Sequence, residues 1–82
     1  MAESIRVLLF ARYAELLGAD HVDLAVAEPV TVGNVLDRVR TLPGGSALPR
    51  AMLCAVNLRQ ATHSDLVSPG DEVALLPPLA GG

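Results

Sequence analysis

The chain has 82 residues, is 51% hydrophobic yet only 2% aromatic, and carries a formal charge of −3. That length holds one small domain with an aliphatic core, and its single cysteine excludes an internal disulfide framework. Acidic balance, no lysine and six scattered arginines from Arg6 to Arg59 argue against a nucleic-acid surface.

Ser4 to Phe10 is β-branched and aliphatic and predicts a first strand, with Ile5, Val7 and Leu9 on one face and Arg6, Leu8 and Phe10 on the other. Arg6 and Arg12 interrupt this apolar stretch. Neither a signal peptide nor a membrane span is therefore expected, and the chain reads as cytoplasmic. Ala11 to Leu17 favours a short helix that Gly18 is placed to stop. His21 to Val26 alternates as a half-solvated strand, and Pro29 breaks it. Val32, Val35, Leu36, Val39 and Leu42 recur at helical spacing, so a long helix is expected from Val32 to Leu42, capped by Thr31 and ended by Pro43-Gly44-Gly45. A loop from Ser46 to Arg50 leads to a third strand over Met52 to Asn57, and Leu58 to Thr62 offers a short strand. Ser68-Pro69-Gly70-Asp71 suits a type II turn, and Glu72 to Leu76 is the last strand. The order implies an α+β fold, one sheet covered by one amphipathic helix.

A sheet covered on one side should be polar on the other. Here Leu8 and Phe10, Ala74 and Leu76, and Leu53 and Ala55 form a second apolar face. Either the loop at 43–50 and the short helix cover it, or it is an exposed patch of the kind that receives partners. Phe10 and Leu76 are its candidate interface residues.

Beyond Leu76 the sequence reads Pro77-Pro78-Leu79-Ala80-Gly81-Gly82. Residues 1–76 are read as the domain and 77–82 as an extended tail. The prolines stiffen its exit and cannot continue the strand. The four residues after them reach at most about 13 to 14 Å, enough to enter a narrow site on another protein. Glycine leaves the terminal acyl carbon of Gly82 open to a nucleophile from either side.

The run from Gly70 to Gly82, with Phe10-Ala11, Glu15, Gly18 and Ala55-Val56-Asn57, resembles the small subunits of molybdopterin synthase, sulfur carriers of the ubiquitin-like β-grasp type. Ala14 stands where that family often has arginine, and Leu79 where it usually has valine. The resemblance implies a mixed β-grasp sheet with one long and one short helix. It implies that an E1-like enzyme adenylates Gly82 with ATP, and that a sulfur donor protein converts it to a thiocarboxylate. Within a large catalytic subunit, in a 2+2 heterotetramer, that sulfur would pass to cyclic pyranopterin monophosphate. Phe10 and Leu76 would dock the body, and Pro77, Pro78, Leu79, Ala80 and Gly81 would thread into the partner. Sulfur delivery to thiamine or transfer RNA synthesis, and a ubiquitin-like modifier, are the alternative readings.

Other residues suggest no chemistry. Cys54 is expected as a buried core thiol. His21 and His63 lack metal-ligand spacing, so no metal is expected, nor a permanently bound cofactor. Gly44-Gly45-Ser46 follows a helix and has no lysine to complete a phosphate loop, so it reads as a turn.

Overall fold

The computed structural model describes residues 3–50 and 52–77. Five strands form the main sheet in the order β2-β1-β7-β4-β5, with β1 at Ser4–Leu9, β2 at His21–Ala25, β4 at Leu53–Val56, β5 at Arg59–Ala61 and β7 at Glu72–Leu76. β1 runs parallel to β7, and the other pairings are antiparallel. The last strand in sequence is thus the middle strand in space, hydrogen-bonded on both sides. Helix α1 spans Arg12–Leu17 and α2 spans Val32–Arg40. A mixed sheet wrapped over one main helix is the β-grasp arrangement that the resemblance implies.

The inward faces make the core. Ile5, Val7 and Leu9 of β1 lie beside Val73 and Leu75 of β7, and Cys54 of β4 pairs with Leu75; all are buried. Val32, Val35, Leu36 and Val39 of α2 close over them, each 1% exposed or less. With so few aromatic rings, this core relies on many interlocking aliphatic chains, and loss of one methylene leaves a cavity that small neighbours cannot fill.

Local chemistry sets most of the element ends. Thr31 caps α2: its Oγ1 accepts the Asn34 N–H at 3.1 Å. Gly18 stops α1 in the left-handed conformation, its N–H donating to the Ala14 carbonyl at 2.9 Å. Gly70, with φ 93°, sits at the third position of the Ser68–Asp71 turn, as a type II turn requires.

Several boundaries differ from the sequence expectation. β1 ends at Leu9 because Ala11 turns the chain at φ 50° and ψ −122°, closing a bond from the Tyr13 N–H to the Phe10 carbonyl. α2 ends at Arg40, two residues early. The Thr41 and Leu42 N–H groups reach back to Arg38 and Val39 as the last turn tightens ahead of Pro43. The loop at 43–50 holds a 3₁₀ turn at Gly45–Ala47 and sends Leu48 into the core. Two further strands, β3 at Val30–Thr31 and β6 at Leu66–Val67, pair in a small second sheet. The expected strands over 52–57 and 58–62 shorten to β4 and β5, because Asn57 and Leu58 both take positive φ, 49° and 71°, and form the two-residue turn between them.

Candidate functional site

The outward face of the main sheet changes character along its length, and pairing register shows how. At the end where β7 begins, Arg6 stands between Asp23 and Glu72 in register, with its Nε 3.3 Å from Asp23 Oδ1. One step on, Leu8 and Ala55 flank Ala74. At the end where β7 finishes, Leu53 pairs with Leu76, and Phe10 follows directly from β1. Parallel β1 and β7 therefore terminate together at an apolar end, where the chain continues into Pro77.

This apolar end is open. Phe10 is 44% exposed and Leu53 45%, while Leu8, Ala55, Ala74 and Leu76 are half-buried. Of the two sequence readings of the surplus face, the structure favours the uncovered one. The loop that could have served as a cover is occupied elsewhere. Gly44 lies against the end of α1, and the Arg40 guanidinium holds the loop by donating to the Pro49 and Arg50 carbonyls at 2.8 and 3.0 Å.

Two positions bordering this face hold strained backbone. Ala11, next to Phe10, occupies a region that suits glycine, and Leu58 is in the left-handed region while 90% exposed. Asn57 anchors the Leu58 turn to the start of β7. Its N–H donates to the Glu72 carbonyl at 2.8 Å, its Oδ1 accepts the Glu72 N–H at 3.0 Å, and its Nδ2 donates to Asp71 Oδ1 at 3.1 Å. Asp71 uses its other oxygen to accept the Ser68 N–H at 2.8 Å. The Asp71 carboxylate thus belongs to turn structure, and Glu72 joins it through its backbone.

Of the sequence-predicted site residues, Phe10, Leu76 and Pro77 are described and lie together at the apolar end. Pro77 helps line a concavity of about 440 Å³ with Tyr13, Leu16 and Pro49. Pro78, Leu79, Ala80, Gly81 and Gly82 lie outside the described residues. Leu53 and Leu58 were not singled out as site residues. Leu53 could be placed on the face by alternation, but its degree of exposure depends on β4 lying beside β7. Leu58 carried no sequence signal, since its turn lacks the glycine that marks such hairpins.

Burial decides the titration of the two inward groups. Desolvation pushes the Cys54 thiol up from its ordinary value, with the nearby Arg40 charge opposing, and its Sγ donates to the Met52 carbonyl at 3.6 Å. Tyr13 is likewise pushed up by burial, then by a Cys54 thiolate if one formed, and its hydroxyl has no partner among the described residues. A thiol held protonated behind the sheet is a poor nucleophile. Among the described residues, no helix is long and apolar enough to cross a membrane.

Comparison with known proteins finds likeness along nearly the whole chain. The ThiS family profile matches residues 7–82. The molybdopterin synthase sulfur carrier subunit of Arabidopsis thaliana is 35% identical over 79 residues, covering 95% of this chain and 82% of the relative. Its counterpart from Escherichia coli is also 35% identical, over 81 residues, covering 95% and 99%. Among solved structures, SAMP1 from Haloferax volcanii superposes with a TM-score of 0.80 at 30% identity, covering 96% of this chain and 99% of that one. A complex of subunits 1 and 2 of the molybdopterin-converting factor from Helicobacter pylori contains a chain with a TM-score of 0.68 at 16% identity, covering 96% and 99%. That last likeness speaks to the fold alone.

Proposed function

The chain belongs to the ThiS family, and from that premise we propose that it is the sulfur carrier subunit of a molybdopterin synthase, acting in the cytoplasm. The observation that carries the reading is the coincidence of an open apolar end with the exit of the tail: Leu76 is both the last residue of the central strand and a member of the uncovered face. Likeness to carrier subunits of that name over 95% of the chain supports the reading.

A free carboxylate is anionic and has no leaving group, so Gly82 needs activation. An E1-like enzyme would use ATP to join the Gly82 carboxylate to AMP, releasing pyrophosphate. Sulfide-level sulfur from a donor protein would attack the acyl carbon, expel AMP and leave a thiocarboxylate. In the catalytic subunit that sulfur would bond to a carbon of cyclic pyranopterin monophosphate as a carbon–oxygen bond of the substrate breaks, its oxygen leaving as water or with the phosphate. Water attacking the acyl carbon would then release the tail as carboxylate and leave the sulfur on the substrate. Two carriers in a heterotetramer with two catalytic subunits would supply the two sulfurs of the dithiolene.

The body's part is to hold the tail. Phe10 and Leu76 would be buried on docking, at about 25 cal/mol per Å² of apolar area removed from water. Pro77 and Pro78 would aim the tail, and Gly81 and Gly82, having no side chains, would suit passage through a narrow channel. Intact mass of the protein produced with its activating enzyme should show a species heavier by one sulfur-for-oxygen exchange. Deletion of Gly82 should abolish both that species and cofactor synthesis; if synthesis survives the deletion, the reading fails. Likeness to SAMP1, of the small archaeal modifier proteins, supports a second reading as a modifier joined to lysines of other proteins. Higher-mass conjugates lost with Gly82 would favour it. The chain has no lysine, so it could not build lysine-linked chains on itself.

A further inference from the structure

Leu58 is the most exposed large apolar residue among those described, at 90%, and it stands in a backbone conformation that costs energy for any residue with a Cβ. Among the described residues the leucine side chain gains almost no burial in return. The turn it occupies joins Val56 to Arg59 through two residues of positive φ, a geometry satisfied best by asparagine followed by glycine. Asparagine is present as Asn57, and leucine takes the glycine position. The turn is also rigid, because three hydrogen bonds tie Asn57 to Asp71 and Glu72. A rigid mount lowers the ordering cost of any contact its tip makes.

The position of Leu58 suits a particular use. It borders a concavity of about 320 Å³ whose other walls include Leu53, Ala55, Gln60 and Leu76. This groove runs along β4 from the tail end of the sheet to the hairpin tip, about 10 to 15 Å for a strand of that length. A carrier held only by its tail and by Phe10 and Leu76 could still swivel about that end. A second apolar contact at the far end of the groove removes this freedom.

We propose that Leu58 is a second anchor of the carrier on the catalytic subunit, seated in an apolar recess there while apolar side chains of that subunit fill the groove between Leu58 and Leu76. The assignment rests on the sulfur-carrier reading above. It makes Leu58 a positioning residue: it sets the angle of the body, and so the approach of the tail, without touching the reacting atoms.

The test uses opposite signs. Leu58→Asn and Leu58→Gly relax the turn and should raise Tm by several degrees. Both should weaken binding to the catalytic subunit of the same organism by at least about tenfold, the scale of one buried leucine. Leu58→Met keeps the strain and the apolar bulk, so Tm and affinity should stay near those of the parent chain. Affinity is measured calorimetrically with the full-length chain and the purified catalytic subunit. A higher Tm with affinity unchanged within twofold overturns the proposal, as does a lower Tm, which would mean that Leu58 packs on its own domain. Loss of affinity for the activating enzyme alone would overturn the assignment to the catalytic subunit. If the parent chain itself fails to bind the catalytic subunit, it is the underlying reading that falls.

Discussion

Two glycines with nearly the same backbone and very different surroundings allow the packing of the 43–50 loop to be tested. Gly18 and Gly44 have φ of 71° and 85°. A Cβ on Gly18 would meet nothing within 4 Å, whereas one on Gly44 would lie 1.9 Å from the Leu16 carbonyl oxygen and 3.0 Å from its carbon. In Gly18→Ala only conformation changes. The left-handed region costs an alanine about 1–2 kcal/mol, and restriction of the unfolded chain returns about 0.4–1 kcal/mol. The net loss is about 1 kcal/mol, or about 4–8 °C in Tm for a domain of this size. Gly44→Ala carries the same cost, and in addition the clash must drive the end of α1 away from the loop. Backbone cannot swing aside as a side chain can, so overpacking should add about 1–3 kcal/mol. Against a total of about 4–12 kcal/mol, from about 0.05–0.15 kcal/mol per residue, that is a large fraction. Urea titrations followed by far-ultraviolet circular dichroism give both midpoints and slopes. Equal losses for the two variants would refute the close approach of Gly44 to Leu16.

Phe10→Ser should leave Tm within a few degrees of the parent, because the ring is already 44% exposed, yet weaken capture by the catalytic subunit about tenfold, read by calorimetry. Thr31→Ala removes the α2 cap and should cost about 1 kcal/mol, visible as a lower urea midpoint that Thr31→Ser restores. For Cys54 the folded-state pKa is raised by burial. The stability it contributes is complete below the ordinary thiol value of 9.0 and is lost as pH rises through the folded value, since the unfolded thiol ionises first. Urea midpoints should therefore fall as pH is raised past 9.0, and less steeply in Cys54→Ala, which also isolates the effect from that of Tyr13. Alkylation of the folded chain near neutral pH should be slow.

Legibility in the sequence followed the length of each signal. Strand alternation in β1 and β2, helical spacing in α2 and the Thr31 cap were readable because each repeats or has a fixed local partner. β3 and β6 have two residues each, too few for alternation, and exist only because they meet across the fold. Ala11 and Leu58 defy intrinsic preference, since their turns are set by the strands on either side. The second apolar face was visible as surplus hydrophobicity, but its gradient from Arg6 to Leu76 depends on β1, β7 and β4 lying side by side. The Gly-Gly end was the most specific signal in the sequence, and Gly82 lies outside the described residues.

The central place of β7 has a mechanical consequence. Tension on the tail is delivered to Glu72–Leu76 along the strand, where hydrogen bonds to β1 on one side and β4 on the other lie across the line of force. Those bonds resist in shear and share the load, instead of peeling apart one after another as they would at a sheet edge. If the tail works in another protein's channel, as proposed, the domain that holds it is built like a rope spliced into the middle of its anchor.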